Sequence, residues 1–130
     1  MPLSFNKKIS TKDLRFSPEY QKMNAGQKAV WRSYVQGCKR TGRKWLLDVN
    51  LFISIISARC TYCGQKRVNA INTGNAAGFS YVGVNRIDND GDYEIGNVRP
   101  CCKICNSMKS QLGDQNFLRH IKKICTYQEL

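Results

Sequence analysis

The sequence is poor in acids and nearly without histidine. Nine Asp and Glu face twenty-one Lys and Arg, and His120 is the single imidazole. No apolar stretch approaches the roughly 20 residues that a membrane span needs, which excludes a spanning helix. Residues 1–25 mix Lys, Ser, Asp and Glu with no apolar run, so a secretory signal is not expected. There is no internal repeat and no low-complexity tract. These absences point to an intracellular, reducing compartment, the cytoplasm of a host cell or its nucleoid, and not to secretion or a membrane.

The shortage of acids leaves a formal charge of +12. Such an excess repels itself in a folded domain, and a polyanion is the natural partner to relieve it. The surplus is concentrated in the first fifty residues, where the bases Lys7, Lys8, Lys12, Arg15, Lys22, Lys28, Arg32, Lys39, Arg40, Arg43 and Lys44 face only Asp13, Glu19 and Asp48. Nucleic acid, foremost double-stranded DNA, is the expected partner, because each neutralised phosphate releases counterions. Lys39, Arg40, Arg43 and Lys44 form a basic turn expected to contact it.

Cysteine is plentiful, with seven residues. An odd number, no signal peptide and two Cys-x-x-Cys pairs argue against a disulfide scaffold. Cys60-Thr61-Tyr62-Cys63 and Cys102-Lys103-Ile104-Cys105 have the gap that lets two thiolates take two corners of a tetrahedron. Gly64 suits the tight knuckle after the first pair. Together they predict a closed four-sulfur zinc site of structural kind. A redox Cys-x-x-Cys would need one pair and a thioredoxin-like βαβ setting, which is lacking. Cys101 is an alternative ligand to Cys102, which the spacing favours. Cys38 and Cys125 fall at inward helical positions and read as buried thiols.

At 130 residues the chain is one domain. Residues 1–25 read as a basic, flexible N-terminal arm and 26–130 as the zinc domain. A helix is predicted from Gln27 to about Gly37, with Gly37 and Gly42 marking its end, and a second is capped by Asp48 with Phe52, Ile55 and Ile56 inward. Residues 69–79 read as a loop. Tyr81–Ile87 reads as a strand, Asn89-Asp90-Gly91 as a turn, and 97–99 as the return strand of a hairpin. Helices follow over 104–112 and after Asp114 as cap, the last with Phe117, His120 or Ile121, and Ile124 on its buried side. Asp88, Asp90 and Asp92 read as turn-capping acids. A calcium loop is excluded because Tyr93 and Arg99 stand where the loop's glycine and closing glutamate belong. Trp31, Trp45 and Tyr62 read as core at these spacings, with stacking on bases the alternative.

The run Val84-Asn85-Arg86-Ile87-Asp88-Asn89, Gly91-Asp92-Tyr93, Asn97-Val98-Arg99-Pro100 and Cys102-x-x-Cys105-Asn106-x-x-Lys109 resembles the HNH endonucleases, and most closely their zinc-bearing branch common in phages and mobile elements. The resemblance covers roughly Lys28 to Cys125. It implies a small α+β fold, a ββα-metal core stapled by the four-cysteine zinc with flanking helices. It further implies a divalent cation, Mg²⁺ or Mn²⁺, held against the scissile phosphate. Carried over by motif, the catalytic positions are Asn85, Arg86, Asn97 and Asn106, and Lys109 matches a phosphate-facing lysine. The family has a metal-binding Asp at 85 and a general-base His at 86. A neutral amide is the weaker ligand for a hard cation, and a guanidinium cannot accept a proton. The resemblance thus implies a metal-dependent DNA endonuclease. A catalytically degenerate scaffold that binds DNA or RNA is one alternative, and a viral or ribonucleoprotein structural module that binds protein is another.

Overall fold

The computed structural model describes residues 17–67 and 69–130. The expected N-terminal arm falls mostly outside them, but its last part does not behave as an arm. The Ser17 side chain accepts a hydrogen bond from the Tyr20 amide at 3.1 Å, and Pro18 opens a short helix, α1 (Pro18–Lys22). Proline is favoured there because the first helical amides have no partner to lose. Tyr20 and the following Met23 are buried in the main core. The packed domain therefore begins before residue 26.

Helix α2 (Ala25–Thr41) starts at a reciprocal cap: Asn24 Oδ1 accepts from the Gln27 amide at 2.8 Å, and Gln27 Oε1 accepts from the Asn24 amide at 2.9 Å. It runs four residues past the expected end. Gly37 lies inside it, where a lone glycine costs only about 1 kcal/mol, and Gly42 at φ 72° ends it. Asp48 caps α3 (Val49–Ile56) through the Leu51 amide at 2.7 Å, and Phe52, Ile55 and Ile56 are buried as the pattern requires. Trp31 of α2 is the hub of the core. Its ring meets Tyr20, Trp45 and Phe52 edge-on at 6.1, 5.3 and 5.1 Å. Such pairs add about 0.5–1.5 kcal/mol each beyond area burial.

Residues 69–79 are not a plain loop. Strands β1 (Asn69–Ala70) and β2 (Ser80–Tyr81) pair antiparallel across them, and Ile71 and Phe79 extend the pairing. The excursion packs back on α2 at Gly26, where an added Cβ would lie 2.1 Å from the Phe79 ring, so only glycine permits this approach. The predicted strand over 81–87 is interrupted at Val82, whose amide bonds Ile56 O at 2.9 Å. Strand β3 (Gly83–Arg86) then pairs antiparallel with β4 (Val98–Cys101), with Asn85 opposite Arg99 and Gly83 opposite Cys101. The Tyr34 hydroxyl of α2 accepts from the Val84 amide at 2.8 Å and fixes the hairpin to the core. Burial pushes the Tyr34 phenol well above the ordinary tyrosine range.

Helices α4 (Lys103–Lys109) and α5 (Asp114–Gln128) complete the chain. Asp114 does not cap α5. Gly113 occupies the cap position without a side-chain bond, and the Asp114 carboxylate instead pairs with Arg99 at 2.6 Å and accepts from the Tyr62 hydroxyl. The inward face of α5 is also narrower than expected. Phe117 is buried against Tyr62 and Ile121 half-buried, while His120 and Ile124 face outward. Among the described residues no helix is long and apolar enough to cross a membrane.

Candidate metal centre and hairpin site

Two knuckles build the sulfur cluster. Gly64, at φ 74°, donates its amide to Cys60 O at 2.9 Å and closes the first. In the second, Cys102 is the cap of α4, its Sγ accepting from the Cys105 amide at 3.4 Å. A bond from the Thr61 amide to Pro100 O at 2.9 Å ties one knuckle to the strand leading into the other. The sulfurs of Cys60, Cys63, Cys102 and Cys105 all lie within 4.8 Å of one another, with Cys63 and Cys102 at 3.8 Å. A metal–sulfur bond of about 2.3 Å gives a tetrahedron with edges of roughly 3.8 Å, so this cluster could hold such an ion.

The thiols are not equivalent. Burial pushes Cys60 up, but the amides of Cys63, Cys102 and Tyr62 outweigh it and bring the pKa down to about 6. Burial and the neighbouring sulfurs push Cys105 well up. A cluster that favours one thiolate and resists the next needs a cation before all four ionise. Cys101 is outside the group; its thiol donates to Cys102 O at 3.4 Å, and burial with the nearby sulfurs lifts it to about 12. The geometry thereby favours Cys102 over Cys101. Cys38 is buried and Cys125 half-buried, both as free thiols.

Beside the cluster, β3, β4 and α4 bring two of the four motif residues together. Asn85, buried at 7% exposure, donates from Nδ2 to Asn106 Oδ1 at 2.7 Å. Its own Oδ1 is buried and has no partner among the described residues. The other two are used by the hairpin loop. Arg86, adjacent on the strand and so on its opposite face, donates to Asn89 O at 2.6 Å and Gly91 O at 2.9 Å and lies over the Tyr93 ring. Asn97 accepts from the Asp88 amide and donates to Asp88 O and Asp92 O. Both are latches that hold the loop. Replacing Arg86 by Ala should therefore cost about 1–3 kcal/mol, since two carbonyls lose their donor, readable as a lower urea midpoint.

Lys109, expected to face a phosphate, is not at the surface. It is fully buried at 0% exposure, one turn beyond Asn106, and its Nζ has no partner among the described residues. The expected basic turn is not one element: Lys39 and Arg40 stand in the last turn of α2, and only Arg43 and Lys44 follow its end at Gly42. Lys39, Arg40 and Lys44 are exposed, while Arg43 donates to Asp90 O at 2.8 Å. Asp92 Oδ1 accepts from the Lys44 amide at 2.9 Å, and Asp88 Oδ1 from that of Asp90 at 3.0 Å, so these acids do serve the turns. The Trp31 and Trp45 rings are core and closed to bases. The Arg99–Asp114–Tyr62 junction carried no periodic or motif signal, because its members lie far apart in the chain and meet only through the fold.

No family model matches the chain. It is 29% identical over 86 residues to the uncharacterized protein R423 of Acanthamoeba polyphaga mimivirus, a stretch that is 66% of this chain and 14% of that protein. The chain thus spans about one seventh of that relative's length. Its fold is similar to that of the rare-cutting HNH restriction endonuclease PacI, with a TM-score of 0.58 and 19% identity over 95% of this chain and 94% of that one. The likeness supports the HNH-type fold expected from the hairpin motif.

Proposed function

We propose that this chain is an HNH-type, divalent-metal-dependent endonuclease that binds double-stranded DNA and hydrolyses its phosphodiester bonds, with structural zinc on Cys60, Cys63, Cys102 and Cys105. The observation that carries the reading is the meeting of Asn85 and Asn106 at the hairpin–helix junction, with one buried amide oxygen left unpartnered. Amide oxygens are accepted ligands for a hard cation, though weaker than carboxylates, so the residues fit Mg²⁺ or Mn²⁺ as a low-affinity site. A cation bound there would neutralise the phosphate and the leaving oxygen. Asn85 and Asn106 would orient it, and the net charge of +12 would supply much of the affinity for DNA. Arg86 cannot take a proton from water and is committed to the loop. The missing base costs about 10²–10⁴ in rate, so turnover should be slow.

The engagement of Arg86 and Asn97 by the loop favours a second reading, a scaffold that grips DNA without cutting it. Nicking of supercoiled plasmid, followed with Mg²⁺ and with Mn²⁺, separates the two. The endonuclease reading expects slow nicking that Asn106→Ala abolishes. Salt-sensitive DNA binding with no nicking in either metal would transfer the assignment to the second reading.

A further inference from the structure

Away from the hairpin, the first half of α2 and the loop between β1 and β2 enclose a cleft of about 420 Å³. Lys28 and Arg32 line one wall and Thr73, Gly74 and Asn75 the other, with Ile71 between; no lining residue is acidic. Arg32 is exposed, and no hydrogen bond or ion pair engages it among the described residues. Lys28 is half-buried, its ammonium held 5.5 Å from the centre of the Tyr20 ring. At Gly74 the chain turns with φ 78°, and an added Cβ there would meet nothing within 4 Å, so the far wall is open to an incoming group.

The helix carries this charge onward. Lys28, Arg32 and Lys39 are separated by four and seven residues, and at 3.6 residues per turn they fall within about 40° of one another. The stripe rises roughly 16 Å from Lys28 to Lys39, and Lys39 lies in the last turn of α2, just before Arg43, which bonds the hairpin loop. Each strand of duplex DNA presents a charge about every 3.4 Å of axis, so a strand following the stripe would meet several phosphates.

We propose that this cleft is a second nucleic-acid contact, in which Lys28 and Arg32 seat a backbone phosphodiester and Thr73 and Asn75 offer neutral hydrogen-bonding groups to the same nucleotide. The site rests on the DNA-binding reading but is independent of cleavage, and lies outside the hairpin motif.

Binding of the full chain to a short random-sequence duplex, titrated over a range of salt without divalent metal, tests it. Each lost phosphate contact should reduce the slope of log K against log salt by about 0.9. Lys28→Ala with Arg32→Ala should remove the one seated phosphate and reduce it by about 0.9, and Arg32→Ala alone, which leaves the Lys28 ammonium at the seat and its Tyr20 contact intact, by less. Asn75→Asp should weaken binding at low salt, with the deficit closing as salt screens the new charge. Lys122→Ala with Lys123→Ala removes the same charge from α5 and should leave the slope unchanged. A wild-type slope in both cleft variants, with binding retained, overturns the cleft alone. Equal slope losses in the cleft and α5 variants overturn it too, since the effect would then be general charge. Absence of duplex binding by the wild-type chain overturns the DNA-binding reading itself.

Discussion

Chelating the metal from the folded protein should unfold most of it. Structural zinc held by cysteine contributes about 10–16 kcal/mol to folding, against a typical domain stability of about 5–15 kcal/mol. The arrangement gives this a specific route. Cys60 follows α3, whose residues Phe52, Ile55 and Ile56 are buried, and Cys102 and Cys105 are the cap and an inward residue of α4. Without the ion, four sulfurs within 4.8 Å of one another hold only their own weak bonds, and thiolates would repel. Elemental analysis should find one zinc per chain, and circular dichroism should lose helix signal on chelation and regain it on adding zinc. Lowering the pH should release the ion, because the ligands must be deprotonated. Cys102→Ser should lose the metal while Cys101→Ser keeps it, since Cys101 is not one of the four mutually close sulfurs. A metal-free protein with full helix content and an unchanged melting temperature would refute the assignment.

The second large effect is expected from a one-atom change in the hairpin. Asn85→Asp should raise metal-dependent nicking. It keeps the buried, unpartnered oxygen but turns the Nδ2 that donates to Asn106 Oδ1 into a second oxygen, so the Asn106 amide must turn its nitrogen toward it, and it adds the charge that a hard cation seeks. Changes in the surroundings of a metal's ligands alone commonly move affinity by on the order of 10–100-fold, and an anionic ligand should give at least that. The gain should appear mainly as a lower metal concentration at half-maximal nicking. Restoring histidine is a poorer experiment. The Arg86 side chain spans to Asn89 O and Gly91 O, and imidazole is too short to hold both, so Arg86→His should open the loop as it supplies a base. Unchanged nicking by Asn85→Asp at every metal concentration would remove Asn85 from the metal site.

What the sequence made legible was local chemistry. The two Cys-x-x-Cys knuckles, the Asp48 cap, the inward stripe of α3 and the Asn89–Gly91 turn each depend on residues a few positions apart, and each is found as expected. The motif also brought Asn85 and Asn106 together across twenty-one residues, because their spacing is tied to the hairpin register and the second knuckle. What stayed hidden depends on distant partners. Asp114 has the chemistry of a cap, yet Arg99 and Tyr62 claim it, and an ion pair with a half-buried phenol beside it outcompetes a single amide bond. Lys109 looks like a surface base until α4 packs its inner face onto the hairpin. The pairing of β1 with β2 rests on two residues at each end of a polar stretch, too few for any alternation to register.

The attachment of α5 has a mechanical consequence. Its first turn is gripped by Tyr62, which stands inside the first cysteine knuckle, and by Arg99 on the strand entering the second. Beyond Phe117 and Ile121 its outward residues include Leu118, Ile124 and Tyr127, at 47%, 42% and 85% exposure. The fifteen-residue helix is thus fastened at its first turn to both cysteine knuckles, so an ion bound by the cysteines would help to aim it. Its bearing is a readout of occupancy: a spectroscopic label near its far end should hold one orientation in the loaded protein and tumble once the knuckles are emptied.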